Sequence, residues 1–107
     1  MTFKSIIDRI EQGGLTGDEI ASYRNFCAVW LYRFYEEVGN LGAKAAFWMT
    51  ANRENYKSQA ECERAWDATE EGQTLIKKKN TIKGLEHVQE VLTSQWFAIN
   101  KEARVHG

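Results

Sequence analysis

The C-terminal part of the chain carries the pattern that most restricts the fold, an apolar repeat of seven residues. Positions seven apart hold Leu75, Ile82, Gln89, Trp96 and Ala103, and positions three beyond the middle members hold Leu85, Leu92 and Ile99. This spacing is typical of one face of a long helix, here with Gln89 as its polar interruption. The pattern predicts a long C-terminal helical region whose apolar face packs either inside one bundle or against a second copy.

The absence of proline extends the helical interpretation to the whole chain. The 107 residues include no proline and eight glycines, and long helices exclude proline from their interiors. Hydrophobic residues make up 43% and charged residues 27%, ordinary values for a globular chain that argue against global disorder. A chain of this length forms one modest core. We therefore predict an all-α single domain over residues 1–107, a bundle of about four to six helices.

Capping residues and glycines predict where the first helices begin and end. Thr2 is expected to cap the first helix, and Gly13-Gly14 to end it, because glycine accepts the left-handed backbone of a helix stop. Thr16 and Glu19 have the spacing of a capping box. The second helix is expected to run from residue 18 to about residue 38.

Glycine and serine then divide the remainder of the predicted bundle. The segment Gly39-Asn40-Leu41-Gly42 is expected to break the second helix, and a third helix to run from residue 43 to about residue 56. Ser58 and Glu61 form a second capping box in front of the long terminal region. Gly72 is expected to bend or split that region, because glycine costs about 1 kcal/mol relative to alanine inside a helix.

The middle of the second predicted helix is apolar almost all round. The ten residues from Phe26 to Tyr35 contain one charged residue, Arg33. Such a segment indicates a central helix enclosed by others. A buried β-strand is the alternative for so many aromatic residues, and the capped start and the polar Glu36-Glu37 continuation favour the helix.

No combination of residues in the sequence points to catalysis, a metal or a cofactor. The two histidines, His87 and His106, have no Cys-x-x-Cys pair to complete a zinc ligand set. Nothing local pairs Cys27 or Cys62 with His87 as a nucleophile and its base. Adjacent acids on a helix point about 100° apart and are typical of a solvated face. We expect a protein that is not an enzyme and has no cofactor.

Charge and hydropathy predict a cytoplasmic protein without a membrane segment. The first fifteen residues include Asp8 and Glu11 and do not resemble a secretory signal. No apolar run reaches the roughly 20 residues that span a bilayer. Two cysteines without a signal indicate a reducing compartment. With a formal net charge of −1, the protein has no overall positive potential that would attract nucleic acid. Any nucleic-acid binding therefore has to come from a local basic patch.

One local patch of this kind is a basic stretch on the long terminal helix. It contains Lys77, Lys78, Lys79 and Lys83 without an intervening acid. Lysines that only keep a helix surface soluble would produce the same sequence pattern as lysines that bind phosphates. In the functional interpretation the lysines bind phosphates and release counterions, so that affinity falls with salt. The expected flanking contacts are Arg64, Lys57 and Arg53.

Aromatic residues supply a second candidate feature. Phe47 and Trp48 are adjacent, so that one ring can lie in the core while the other is exposed. Exposed rings beside cations suit single strands, whose bases stack on aromatic planes. We predict Trp48 as the stacking residue, and the alternative is that the aromatic rings are core residues.

The order of these segments resembles that of small phage proteins. A short N-terminal helix precedes the aromatic-rich Phe26-Cys27-Ala28-Val29-Trp30-Leu31-Tyr32, and a long helical region follows with Asp67-Ala68-Thr69-Glu70-Glu71-Gly72 and Ile82-Lys83-Gly84-Leu85. This layout resembles the UvsY-type recombination mediators, which bind single-stranded DNA. In size and helical character the chain is also similar to phage-encoded anti-CRISPR proteins, among them an all-helical type I-E inhibitor.

The resemblance implies a non-catalytic phage protein that binds single-stranded DNA and inhibits a type I CRISPR system. Anti-CRISPR proteins block a host surveillance complex by binding its subunits or the nucleic acid that it exposes, and such a protein acts in the bacterial cytoplasm. The alternative is a protein–protein inhibitor or adaptor that docks through an exposed aromatic helix face, either at Phe47 and Trp48 or along the seven-residue repeat. The oligomeric state stays open, with a monomer favoured.

Overall fold

The computed structural model describes the backbone of residues 1–106 and the side chains of residues 1–101. Four α-helices and one 3-10 turn follow one another along the chain: α1 (Phe3–Gln12), α2 (Gly17–Asn52), the turn Arg53–Asn55, α3 (Gln59–Asp67) and α4 (Glu70–His106). The described residues contain no β-strand. The all-α prediction and the long C-terminal helix are confirmed, and the strand alternative for the aromatic segment is wrong.

The first helix begins and ends where the sequence predicts. The Thr2 hydroxyl accepts a hydrogen bond from the Ser5 backbone N–H at 3.1 Å, and the Ser5 hydroxyl accepts one from Thr2 at 2.9 Å. Gly13 and Gly14 follow the helix with φ angles of 75° and 69°. Any other residue is strained in that conformation, so these two glycines set the direction in which the chain leaves α1.

The second helix starts as predicted but does not break at Gly39 and Gly42. Thr16 and Glu19 form the capping box, with both reciprocal bonds at 3.1 Å. The helix then runs unbroken to Asn52, so the predicted division into two helices is wrong. Glycine costs a helix only about 1 kcal/mol, and burial of apolar side chains such as that of Ala45 offsets that cost.

The junction between α3 and α4 lies just before Gly72, not at it. Ala68 and Thr69 separate the helices, and Gly72 lies inside the first turn of α4. The Thr69 backbone N–H and hydroxyl both donate to the Trp66 carbonyl at the end of α3, at 2.9 and 2.6 Å. The same hydroxyl accepts from the Gly72 N–H at 3.0 Å, which caps the start of α4. The predicted break near Gly72 is therefore present, but it lies at Ala68 and Thr69.

The second predicted capping box is half formed. The Ser58 hydroxyl accepts from the Glu61 N–H at 3.2 Å, as expected. The Glu61 carboxylate, however, accepts from the backbone N–H of Lys57 at 3.2 Å, one residue before the cap.

The chain forms two compact units, and the prediction of a single domain stays a prediction. The terminal unit comprises Met1–Leu31 together with the chain from Gly84 onward, and the central unit comprises Tyr32–Lys83.

The seven-residue repeat packs inside its own chain in the terminal unit. Leu92 is fully buried and forms a core with Leu15 and Ile20. Trp96 and Ile99 pack against that core, while the Gln89 amide donates to the Arg24 carbonyl at 2.9 Å. These contacts favour packing of the repeat inside a single chain over packing against a second copy. The side chain of Ala103 lies outside the described residues.

The aromatic segment of α2 is not enclosed. Cys27 and Leu31 are buried, whereas Tyr32 is 71% exposed and Tyr35 is 49% exposed. The prediction of an all-round buried helix is wrong because neither unit contains more than three α-helical segments, and two neighbours cannot cover every side of a third. Among the described residues, no helix is long and apolar enough to cross a membrane.

Candidate nucleic-acid interface

The basic stretch lies on α4 in the central unit, and Lys78 is its one inward member. Successive helix residues are about 100° apart, which places Lys78 on the side of the buried Leu75 and Ile82. Its ammonium group forms an ion pair with Glu37 and lies 5.2 Å from the centre of the Phe34 ring. Lys78 is therefore a packing residue that joins α4 to α2.

The three remaining lysines of the stretch are exposed but do not share one side of the helix. Lys79 and Lys83 are four residues apart and lie on one side, whereas Lys77 is about 160° around the helix from Lys79. None of the three makes an ion pair within residues 1–101. The predicted strip of four lysines is thus reduced to the pair Lys79 and Lys83, with Lys77 apart from it.

The three predicted flanking cations differ in how available they are. Arg53 is half-buried, and its guanidinium donates to the Tyr56 carbonyl at 2.9 Å. Lys57 and Arg64 have exposed side chains. Arg53 therefore stabilises the turn between α2 and α3, while Lys57 and Arg64 are the accessible positive charges of that segment.

Trp48, the predicted stacking residue, belongs to an aromatic cluster of the central unit. Its ring centre lies 6.3 Å from that of Tyr56 and 5.8 Å from that of Trp66. Trp48 is half-buried, whereas its neighbour Phe47 is 79% exposed. The expectation that one ring of the pair is exposed is confirmed, and the exposed ring is that of Phe47.

An open cleft of about 520 Å³ lies beside this cluster. It is lined by small, aromatic and polar residues of α2 and by two residues from the α3–α4 segment: Ala43, Lys44, Phe47, Trp48, Ala51, Asn52, Trp66 and Glu71. An ion pair of 3.4 Å joins Lys44 to Glu71. The cleft is lined by the exposed Phe47 ring, the half-buried Trp48 ring and the buried Trp66 ring, beside the Lys44–Glu71 ion pair. Aromatic rings in the wall of a cleft suit a planar ligand.

Trp66 contributes an unusual group to this cleft. The residue is 5% exposed, and its indole N–H is buried without a hydrogen-bond acceptor among the described residues. Buried polar groups in proteins nearly always have a partner. No pattern in the sequence indicates that this N–H lacks an acceptor.

Among residues 1–101, the structure brings no reactive groups together. Cys27 and Cys62 are both buried as free thiols, and burial raises the pKa of the Cys27 thiol. His87 is exposed, with its Nδ1 atom 3.8 Å from a Glu90 oxygen. No three potential metal ligands cluster in the part of the chain that the structure describes, and His106 has its side chain outside that part.

The two units differ in charge. The central unit has nine lysines and arginines against eight acids, and the terminal unit has five against seven. The central unit, which holds both the exposed lysine pair and the aromatic cleft, is therefore the less acidic of the two.

No family model, no curated protein and no solved structure matches this chain. The resemblance to anti-CRISPR proteins and recombination mediators accordingly stays a prediction.

Proposed function

We propose that this protein is a non-catalytic binding protein for single-stranded DNA and that the central unit holds the strand. Phe47 stacks a base at the aromatic cleft. Lys79 and Lys83, with Lys77, Lys57 and Arg64 as further contacts, bind phosphates. Trp48 supports the cleft, while Lys78 and Arg53 hold the surrounding structure together.

The observation that carries this proposal is the exposure of Phe47. With 79% of its surface in solvent, the Phe47 ring buries little apolar area and contributes little to folding. Beside Trp48 and an open cleft, the same ring offers a platform on which a base can stack, and such stacking is tolerant of sequence.

The lysine pair supplies the second part of the proposal. Lys79 and Lys83 are exposed and without ion-pair partners among residues 1–101, so their charges are available to phosphates. Two to five phosphate contacts give a modest affinity that decreases as the salt concentration rises. Because these contacts bind the backbone, they position a strand without selecting its sequence.

The test uses two exposed phenylalanines, one in each unit. Phe47→Ala is expected to weaken binding of a labelled oligothymidine by roughly tenfold in a fluorescence-anisotropy titration. Phe97, which is 66% exposed in the terminal unit, provides the matched control, and Phe97→Ala is expected to bind like the wild type. Equal affinities for the wild type and Phe47→Ala would remove the cleft from the proposal.

A protein–protein inhibitor or adaptor is the second candidate function, and exposed tyrosines favour it. Tyr32 and Tyr35 are three residues apart on α2 and are 71% and 49% exposed. Aromatic anchors of this kind dominate many protein interfaces. Binding to a protein partner that is insensitive to salt and lost in Tyr32→Ala, with oligothymidine binding absent, would favour this function.

The resemblance to anti-CRISPR proteins suggests a biological context for strand binding. In this proposal the ligand is the displaced strand of an R-loop made by a type I surveillance complex in a bacterial cytoplasm, and the bound protein denies that strand to the recruited nuclease-helicase. The experiment is a cleavage assay on a preformed R-loop, with Phe97→Ala expected to inhibit and Phe47→Ala to inhibit less. Undiminished cleavage at saturating protein would contradict the proposed context.

A further inference from the structure

We infer that the cleft of the central unit receives one unpaired nucleobase and that the Trp66 indole N–H donates a hydrogen bond to an acceptor on the edge of that base. This inference rests on the proposed function and specifies how its site recognises the ligand.

The indole nitrogen of Trp66 has lost contact with solvent and has no hydrogen-bond partner within the described residues. Asn52, which lines the same cleft, uses its amide oxygen to accept a hydrogen bond from the Asn55 side chain at 3.4 Å. A buried donor without a partner carries a desolvation cost that an incoming acceptor removes.

Trp66 lines the cleft together with Trp48 and Phe47. The ring centres of Trp48 and Trp66 are 5.8 Å apart with their planes tilted by 51°, so the two rings do not stack flat on each other. Trp66 therefore contributes both ring surface to the lining of the cleft and an unpartnered donor.

One class of ligand matches both the aromatic lining and the unpartnered donor. A ligand for this cleft needs a flat face for Phe47 and a hydrogen-bond acceptor at its rim for Trp66. Every nucleobase has a π-face and at least one edge acceptor. An aliphatic chain has neither, and a phenylalanine side chain has no acceptor. The cleft volume of about 520 Å³ lies in the range of small-molecule sites, enough for a single base.

The lysine pair favours a base within a strand over an aromatic side chain of a protein. Lys79 and Lys83 belong to the same unit as the cleft and are exposed. A strand brings phosphates for these charges together with a base for the cleft, whereas a tyrosine peptide brings only the ring. The experiment therefore has to distinguish binding of a nucleobase from binding of a tyrosine-containing peptide.

The test observes the indole N–H directly. Uniformly ¹⁵N-labelled protein gives one indole resonance for each of its four tryptophans. Trp66→Phe identifies the Trp66 resonance, and if that variant does not fold, Trp30→Phe, Trp48→Phe and Trp96→Phe identify it by elimination. The ligands are oligothymidine, an abasic oligonucleotide of the same length, and a tyrosine-containing peptide.

The inference predicts that oligothymidine shifts the Trp66 indole proton downfield and slows its exchange with solvent, whereas the abasic oligonucleotide leaves that resonance in place. Trp66→Phe retains a ring but loses the donor, so it is expected to weaken oligothymidine binding by about threefold to tenfold. Trp48→Phe, which removes an N–H that the inference does not use, is the control and should weaken binding less.

Two results would overturn the inference while leaving the proposed function in place: oligothymidine binds without moving the Trp66 resonance, or the abasic oligonucleotide moves it equally. A shift with the tyrosine peptide and none with oligothymidine would overturn it in favour of a protein partner. Failure of every oligonucleotide to bind would overturn the proposed function and this inference together.

Discussion

The carbonyl group of Trp66 occupies the space that a Cβ atom on Gly72 would fill. A Cβ built on Gly72 would meet the carbonyl oxygen, and it would lie 2.8 Å from the carbonyl carbon and 2.9 Å from the Asp67 Cα atom. Because these are backbone atoms of the α3–α4 junction, they cannot move aside as a flexible side chain would. Glycine at position 72 therefore permits the tight connection that holds Trp66 in place.

Replacement of Gly72 by alanine is expected to destabilise the protein by about 1–3 kcal/mol, since the added methyl group has to displace backbone. The control is Gly42→Ala, also inside a helix of the central unit but with nothing within 4 Å of the added atom. That substitution is expected to stabilise by up to about 1 kcal/mol. Urea unfolding measures both, and a Gly72→Ala variant as stable as Gly42→Ala would contradict the account of the junction.

Because Lys78 lies on the inward side of α4, its substitution is expected to change the stability of the fold, whereas substitution of the exposed Lys79 is not. Lys78→Gln loses the ion pair with Glu37 and the contact with the Phe34 ring, so its free energy of unfolding is expected to fall by about 1 kcal/mol. Lys79→Gln removes an exposed charge and is expected to change that free energy by less than about 0.5 kcal/mol. Chemical denaturation of the two variants side by side checks this, and the opposite order of stabilities would show that Lys78 does not join the two helices.

The capping box of α2 makes stability sensitive to acid. Hydrogen bonds from the Thr16 backbone N–H and the Arg9 side chain lower the pKa of Glu19 below its ordinary value of about 4.5. A carboxyl group with a lowered pKa in the folded state contributes its stabilisation above the ordinary value and loses it as the pH falls through the lowered one.

The unfolding temperature of the Glu19→Gln variant is therefore expected to depend less on pH across this acidic range than the unfolding temperature of the wild type does. Glu11→Gln removes an exposed acid that makes no hydrogen bond or ion pair within the described residues, and it should follow the wild-type profile. Thermal melts between pH 7 and the acid range, at roughly half-unit steps, compare the three proteins. Parallel profiles for the wild type and Glu19→Gln would disprove the role of this carboxylate.

Local capping chemistry predicted the helix starts better than glycine predicted the helix ends. Thr2, Thr16 and Ser58 all cap helices, because a hydroxyl placed before a run of helix formers satisfies the first free N–H groups whatever the rest of the chain does. Gly42 does not end a helix, since its small intrinsic cost is outweighed by the packing of the residues around it. That packing depends on the tertiary fold and is not visible in a local window.

The candidate site was predicted in part. The sequence identified the lysine stretch and the Phe47-Trp48 pair, yet it did not separate Lys78 from its neighbours. The signal was present, because Lys78 lies three residues after Leu75 and four before Ile82, which is a position of the seven-residue repeat. The unpartnered N–H of Trp66 depends on the three-dimensional arrangement of α2, α3 and α4 within the central unit, and no sequence pattern reports it.

The central claim, that exposed lysines and a stacking cleft bind a single strand, is tested most directly by one anisotropy titration. Labelled single-stranded and duplex oligonucleotides are titrated at low and near-physiological salt with the wild type and two charge-reversed variants. The first variant is Lys79→Glu with Lys83→Glu, and the control is Lys4→Glu with Lys101→Glu, two exposed lysines of the terminal unit.

The account predicts that the wild type binds the single strand more tightly than the duplex and that salt weakens this binding. It also predicts that the Lys79 and Lys83 variant binds more weakly with a flatter salt dependence, while the control retains most of the affinity. No binding to either oligonucleotide, or equal losses in the two variants, would contradict it.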